Sequence, residues 1–174
     1  MFILKRNILL TGRPGVGKTT AIRKIVERLP EATTRGFLSY EIRKRGKRVG
    51  FAIETLSGKR GTLAHVDLNT GFRVSKYHVS VEDIDTIIIP ELEDARESNS
   101  MIIIDEIAKM ELFSILFAPE VRRCLDTGRV VGTIQQRKSP FLDEVRQRRD
   151  VQVVELTINN RDDIPVQVLS LLER

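Results

Sequence analysis

Gly12-Arg13-Pro14-Gly15-Val16-Gly17-Lys18-Thr19-Thr20 is a complete G-x-x-x-x-G-K-[ST] phosphate-binding loop, set between two segments of different periodicity. Upstream, Asn7-Ile8-Leu9-Leu10-Thr11 is a short apolar run that predicts a strand. Downstream, Ala21, Ile22, Ile25, Val26 and Leu29 recur at three- and four-residue spacing, which predicts a helix. Glycines at 12, 15 and 17 let the backbone take positive φ and close its N–H groups around a phosphate, at a helix N-terminus whose dipole favours anions. On this reading Thr11, Gly12, Arg13, Pro14, Gly15, Val16, Gly17, Lys18, Thr19 and Thr20 hold a nucleoside triphosphate. Lys18 reaches the β and γ oxygens, and Thr19 ligates Mg²⁺ through its hydroxyl.

The second half of the site is read at Met101-Ile102-Ile103-Ile104-Asp105-Glu106, an apolar run too short for a typical helix that ends in two carboxylates. This is the form of a Walker B strand, and its continuous apolarity predicts burial on both faces of a parallel sheet. Such sheets bind ligands at the C-terminal ends of their strands. Asp105 is therefore expected beside the Mg²⁺ held by Thr19, contacting it through water. Glu106 is placed to accept a proton from, or orient, a water in line with the γ-phosphate. A kinase would need room there for an acceptor instead.

Around these two motifs the pattern alternates. Gly36 to Ile42 and Arg48 to Leu56 flank a basic Gly-containing turn and predict a hairpin, and Leu63, Ala64 and Val66 suggest another short strand in the poorly patterned stretch 57–79. Ser80 with Asp83 resembles a capping box opening a helix that Pro90 kinks or divides. A helical segment through Leu125, a strand at Arg129 to Ile134, a helix at Pro140 to Arg148 and a strand at Val151 to Leu156 follow. A last helix has Asn160 and Asp163 at capping spacing, with Ile164, Val168, Leu171 and Leu172 facing inward. The expected fold class is α/β, a P-loop NTPase: a mostly parallel sheet with helices on both faces and an antiparallel hairpin toward one edge. Thr133 and Gln135 emerge beside the phosphates if their strand lies between the loop-bearing strand and the carboxylate strand.

At 174 residues, without a Ser- or Pro-rich linker, the chain is expected to be a single domain over 1–174, and 41% apolar with 30% charged residues is globular composition. Met1-Phe-Ile-Leu4 is too short for a secretory apolar region, and charge interrupts every other apolar run before it could span a bilayer, so a cytoplasmic protein without membrane association is expected. Cys124, the one cysteine, reads as a buried small hydrophobe. A formal charge of +5 suits an anionic ligand. The basic runs Arg43 to Arg48 and Arg146, Arg148, Arg149 read as solvated surface, and without Trp and with two Tyr there is little to stack bases on, so nucleic acid is a disfavoured partner and a monomer is expected. His65 and His78 are not at metal-ligand spacing, which leaves Mg²⁺ as the one metal proposed.

Taken with Ile104-Asp-Glu-Ile-Ala-Lys-Met-Glu-Leu-Phe113 and Asn160-Arg161-Asp162, the phosphate loop makes this chain resemble the cancer-related nucleoside-triphosphatase family, especially its small thermophile members. The likeness also includes Gly36-Phe37, Glu41-Ile42-Arg43, Val49-Gly50-Phe51 and Val74-Ser-Lys-Tyr77. It implies slow, Mg²⁺-dependent hydrolysis of nucleoside triphosphates (ATP, GTP, CTP, UTP, TTP) on a RecA-like core; breadth of base comes from the resemblance, not from spacing. Ala108, Ser75 and His78 stand where the family usually carries Gly, so the family role of the loop around Ser75 is not carried over. Lys109 is a candidate for transition-state charge in the manner of an arginine finger supplied in cis, as is Arg13, with exposed surface the competing reading for each. Arg161, after the last strand with Asn159 and Asn160, is a candidate to stack on the base. The competing functions are a nucleotide or small-molecule kinase and a nucleotide-switched nucleic-acid-binding protein.

Overall fold

The strand, loop and helix that open the chain form as read: β1 spans Asn7–Thr11 and α1 spans Lys18–Val26. The computed structural model describes residues 7–173, so the Met1 to Leu4 segment lies outside the described residues. A long hairpin follows, β2 at Thr34–Lys44 and β3 at Lys47–Thr55, turning at Arg45 and Gly46 with φ of 50° and 76°. A two-residue turn with both central φ values positive matches the right-handed twist of its strands. The stretch that sequence patterning left open holds β4 (Arg60–His65), β5 (Arg73–Val74) and β6 (Tyr77–Val79).

Next, α2 (Val81–Asp83) passes through a π-helical turn at Ile84–Ile88 into α3 (Ile89–Glu97), so that Pro90, which has no N–H to give the preceding turn, directly follows the π-helical turn. The remainder alternates: β7 (Met101–Ile107), α4 (Phe117–Asp126), β8 (Val130–Ile134), α5 (Pro140–Gln147), β9 (Val151–Glu155) and α6 (Ile164–Leu172).

All nine strands join one sheet in the order β5-β6-β4-β3-β2-β7-β8-β1-β9. From β2 to β9 neighbours are parallel; from β2 to β5 they are antiparallel, so the expected hairpin is the start of a longer antiparallel wing. Side chains alternate across the parallel part. Leu9, Ile102, Ile104 and Val130 pack with Leu92, Val121 and Leu125 of α3 and α4, while Ile8, Leu10, Ile103 and Val131 pack with Ile22 and Ile25 of α1 and Val168 of α6. This is why β7 reads as an unbroken apolar run. Its four fully buried isoleucines each contribute about 1.5–3 kcal/mol, enough to offset the several kcal/mol it costs to hold a carboxylate near the strand's end away from water.

Fully buried Asn7 fixes the start of β1, its amide donating to the Leu125 and Asp150 carbonyls (2.9 and 3.2 Å) while its oxygen accepts from the Val130 N–H (3.0 Å). Cys124 is buried as expected, and burial pushes its thiol up to about 12. Several local readings are corrected. The Ser80 hydroxyl caps Asp83 N–H, but the Asp83 carboxylate accepts from the Thr62 backbone, tying α2 to β4 rather than closing a capping box. Asn160 clamps the turn after β9, accepting from Thr157 N–H and donating to the Glu155 carbonyl, and does not cap α6. Leu171 is exposed, because only the Ile164 and Val168 side of α6 faces α1.

Candidate active site

Two glycines explain the shape of the loop. A Cβ on Gly12 would come within 2.7 Å of the Leu156 carbonyl oxygen, and Gly17 heads α1 with φ of 109°, a conformation β-carbons disfavour. The first turn of α1 holds no acidic residue and no side chain caps it, so its leading N–H groups face the loop's concavity without a partner of their own. Across the mouth lies Lys18, whose ammonium donates to the carbonyls of Gly12 (2.9 Å) and Arg13 (3.2 Å). Val16 is buried among the side chains packed beneath α1, which anchors the loop from below.

Opposite the loop, the pairing of β7 with β8 breaks register between Ile104 and Ile107, and the irregular stretch carries Asp105 and Glu106. Asp105 is 1% exposed; its Oδ1 accepts from the Thr133 hydroxyl (2.8 Å), while Oδ2 is buried without a hydrogen bond among the described residues. Burial raises its pKa, opposed by the hydroxyls of Thr133 and Thr19, the Ser39 backbone and the Lys18 charge. Those neighbours favour the carboxylate without satisfying Oδ2. Burial also pushes Glu106 up to about 7, with Lys18 lowering it and Asp105 raising it.

A third carboxyl, Glu111, converges on the same place. It sits in a single 3₁₀ turn after β7, is 2% exposed, and its Oε2 lacks a partner among the described residues. Burial, then the Glu106 charge, pushes its pKa well above the ordinary carboxylate range. The sequence reading gave Glu111 no role; the available signal was a charged residue flanked by Met110, Leu112 and Phe113.

Gly12, Pro14, Gly15, Gly17, Lys18, Thr19, Thr20, Asp105, Glu106 and Lys109 line one cavity of about 780 Å³, together with Gln135 and Glu111. Gln135 holds the segment after β7 by accepting from the Lys109 N–H (3.1 Å). β8 does lie between β1 and β7, and Gln135 reaches the cavity wall, but Thr133 is fully buried off that wall and serves Asp105 instead. Three candidates stand apart. The Thr11 hydroxyl donates to the Ile134 carbonyl (2.9 Å), and the exposed Arg13 is not on the cavity wall. Arg161 is exposed too, but borders a smaller hollow of about 210 Å³ with Gly17, Thr20, Ala21, Lys24 and Asp162, on the outer side of α1's start.

The basic runs are less free than read. Arg146 donates to the Gln135 and Arg137 carbonyls and to Asp143, bracing the loop after β8; Arg148 pairs with Asp150 and Asp126. Arg48 leaves the hairpin tip for the cavity wall, while Arg149 remains exposed as expected. His78 meets His65 across β6 and β4 and contacts the Thr70 carbonyl, and Ser75, at φ 54°, keeps the left-handed turn where the resembling family has Gly.

For a metal the donors present are hard oxygens: the partnerless Asp105 Oδ2 and the Thr19 hydroxyl beside it. Among the described residues no group of three or more His, Cys, Asp or Glu could hold a cation alone. This donor set fits a small cation that retains waters and takes substrate oxygens, and does not fit zinc or an all-protein cage.

A glycine-rich loop feeding an uncapped helix, facing buried carboxylates across a parallel sheet, defines the class of P-loop nucleoside triphosphatases. Comparison with known proteins agrees: the family model described as NTPase matches residues 7–169. The nucleoside-triphosphatase THEP1 of Thermotoga sp. (strain RQ2) is 44% identical over 167 residues, covering 95% of each chain, and the human cancer-related nucleoside-triphosphatase is 38% identical over 186 residues, covering 98% of each. The crystal structure of THEP1 from Aquifex aeolicus superposes with a TM-score of 0.87 at 40% identity, covering 97% of this chain and 99% of that one. The chain belongs to this NTPase family and is a nucleoside-triphosphate-hydrolysing enzyme. No helix among the described residues is long and apolar enough to cross a membrane.

Proposed function

We propose that the chain hydrolyses nucleoside triphosphates of any common base to the diphosphate and phosphate, with Mg²⁺ as cofactor. One observation carries the reading: the uncapped start of α1, Lys18, the orphaned Asp105 oxygen and the raised Glu106 carboxyl all border one cavity. In it the loop N–H groups and Lys18 receive the β- and γ-phosphates and stabilise charge on the transferring group. Thr19 and Asp105 would hold the Mg²⁺, which supplies charge neutralisation at the β and γ oxygens. Thr133 keeps Asp105 oriented by its hydrogen bond to Oδ1. Glu106 takes the proton of the attacking water, and Lys109, from the segment just after β7, adds positive charge as the bond breaks.

Base breadth follows from the outer hollow. Its charged side chains Lys24 and Asp162 pair with each other at 3.3 Å, the Thr20 hydroxyl donates and accepts alike and so selects no base, and Arg161 stacks on whichever π face is offered.

Phosphate release from ATP, GTP, CTP, UTP and TTP without an acceptor tests the reading. Glu106→Gln should lower kcat by about 10²–10⁴-fold while nucleotide affinity stays within a few-fold. In the wild type kcat/KM should rise with pH through about 7 as Glu106 of the free enzyme ionises, and the rise should vanish in the variant. Wild-type turnover that depends wholly on an added acceptor would overturn the hydrolase.

A further inference from the structure

The cavity continues past the place assigned to the triphosphate. From the phosphate loop after β1 it crosses Asp105 and Glu106 at β7 and goes on over Ser39, Tyr40 and Glu41 of β2 to Arg48 and Phe51 of β3, Leu63 of β4 and Val74 of β5. With neighbouring strands about 4.8 Å apart, β4 stands three places and roughly 14 Å beyond β7. A water attacking the γ-phosphorus needs only about 3–3.5 Å. The base, on the outer side of α1, uses none of this space.

The far end has its own chemistry. Phe51, Leu63, Val74 and Met110 supply apolar walls. Arg48 lies with its guanidinium 5.2 Å from the Phe51 ring centre and 5.8 Å from that of Tyr77, while Nε donates to the Tyr77 hydroxyl and Nη1 to Glu41, both at 2.9 Å. Nη2 donates to no described residue. A guanidinium held this firmly offers its remaining N–H groups to an anion with little ordering cost.

We propose that this end is an acceptor subsite, taking a small alcohol or phenol that carries a carboxylate or phosphate. The ligand's body packs on Phe51, Leu63, Val74 and Met110, its anion sits on Arg48, and its hydroxyl replaces the water at Glu106. The hydroxyl oxygen bonds to the γ-phosphorus and its proton passes to the Glu106 carboxylate. The bond from that phosphorus to the β–γ bridging oxygen breaks, and the nucleoside diphosphate leaves with the bridging oxygen; nothing is oxidised or reduced. The inference rests on the nucleotide placement proposed above.

The test incubates the protein with Mg²⁺, γ-³²P-labelled ATP and, separately, glycerate, mevalonate, pantothenate, 4-hydroxybenzoate and cytidine 3′-phosphate. Label should appear on at least one acceptor with an apolar or planar body, in preference to glycerate. Arg48→Met, which keeps the stem over Phe51, should raise that acceptor's KM at least tenfold and leave acceptor-free phosphate release within twofold. Val74→Trp, which fills the subsite from a short edge hairpin, should block transfer with the same release preserved, and carries the test if Arg48→Met fails to fold. No labelled acceptor, or transfer indifferent to the variants that fold, overturns the subsite while leaving hydrolysis standing. Loss of acceptor-free release in the wild type would instead strike the hydrolase reading.

Discussion

The two wings of the sheet present their functional groups in different ways. In the parallel wing, the phosphate loop works largely through backbone: N–H groups at the head of α1, with glycines where a Cβ would collide or the φ is positive. In the antiparallel wing the cavity wall is built of side chains, contributed one to three residues at a time by β2, β3, β4 and β5. A backbone cradle demands particular residue types in one contiguous run, so it leaves a pattern. A side-chain wall demands only that distant residues be brought to the same face, so it leaves almost none.

The contrast predicts that chemistry fails hardest on the parallel side. Lys18→Ala should lower kcat/KM for ATP by about a thousandfold, the scale of losing one group aimed at developing charge, without lowering the melting temperature appreciably. A loss under tenfold would mean that the two wings share the catalytic work.

Glu111 belongs to the boundary between the wings and is expected to act on stability. In the folded chain Glu106 is raised to about 7 and Glu111 well above the ordinary range, whereas unfolded Glu ionises near about 4.3. The folded state therefore binds more protons, so this contribution is full below about pH 4.3 and is lost as pH rises through about 7 and beyond. Glu111→Gln should thus melt higher than wild type at about pH 8 and similarly at about pH 4, read by thermal scans without nucleotide. A pH-independent difference would show that Glu111 is not held protonated.

Arg146 bears on how rigid the parallel wing must be. Arg146→Ala leaves the Gln135 and Arg137 carbonyls without their charged donor, at a cost of about 1.5–3 kcal/mol per bond in stability, and should raise KM for ATP several-fold. Unchanged KM would confine Arg146 to folding. The smallest effect is expected in the antiparallel wing. Ser75→Gly relieves roughly 1–2 kcal/mol of left-handed strain less about 0.5–1 kcal/mol of glycine entropy, a net gain of about 0.5 kcal/mol in denaturant unfolding with hydrolysis unchanged.

The phosphate loop, the carboxylate strand and the α/β alternation were legible in the chain because each is written in contiguous residues under one constraint. The run Ile102 to Ile104 is apolar because both faces are covered, and Gly12 and Gly17 are fixed by a close approach and a left-handed turn. Strands β5 and β6 were not legible, being two and three residues long and stabilised by pairing, β5 with β6 and β6 with β4, rather than by propensity. Nor did charge reveal its own destination: Arg48, Arg146 and Arg149 look alike in sequence, yet one lines a cavity, one braces a loop and one is solvated. Local order thus wrote the nucleotide cradle into the chain. The meeting of Glu111 with Glu106, the Thr133 to Asp105 bond and the far wall at Arg48 depended on packing, because only burial and long-range pairing decide which distant side chains share a dielectric and a face.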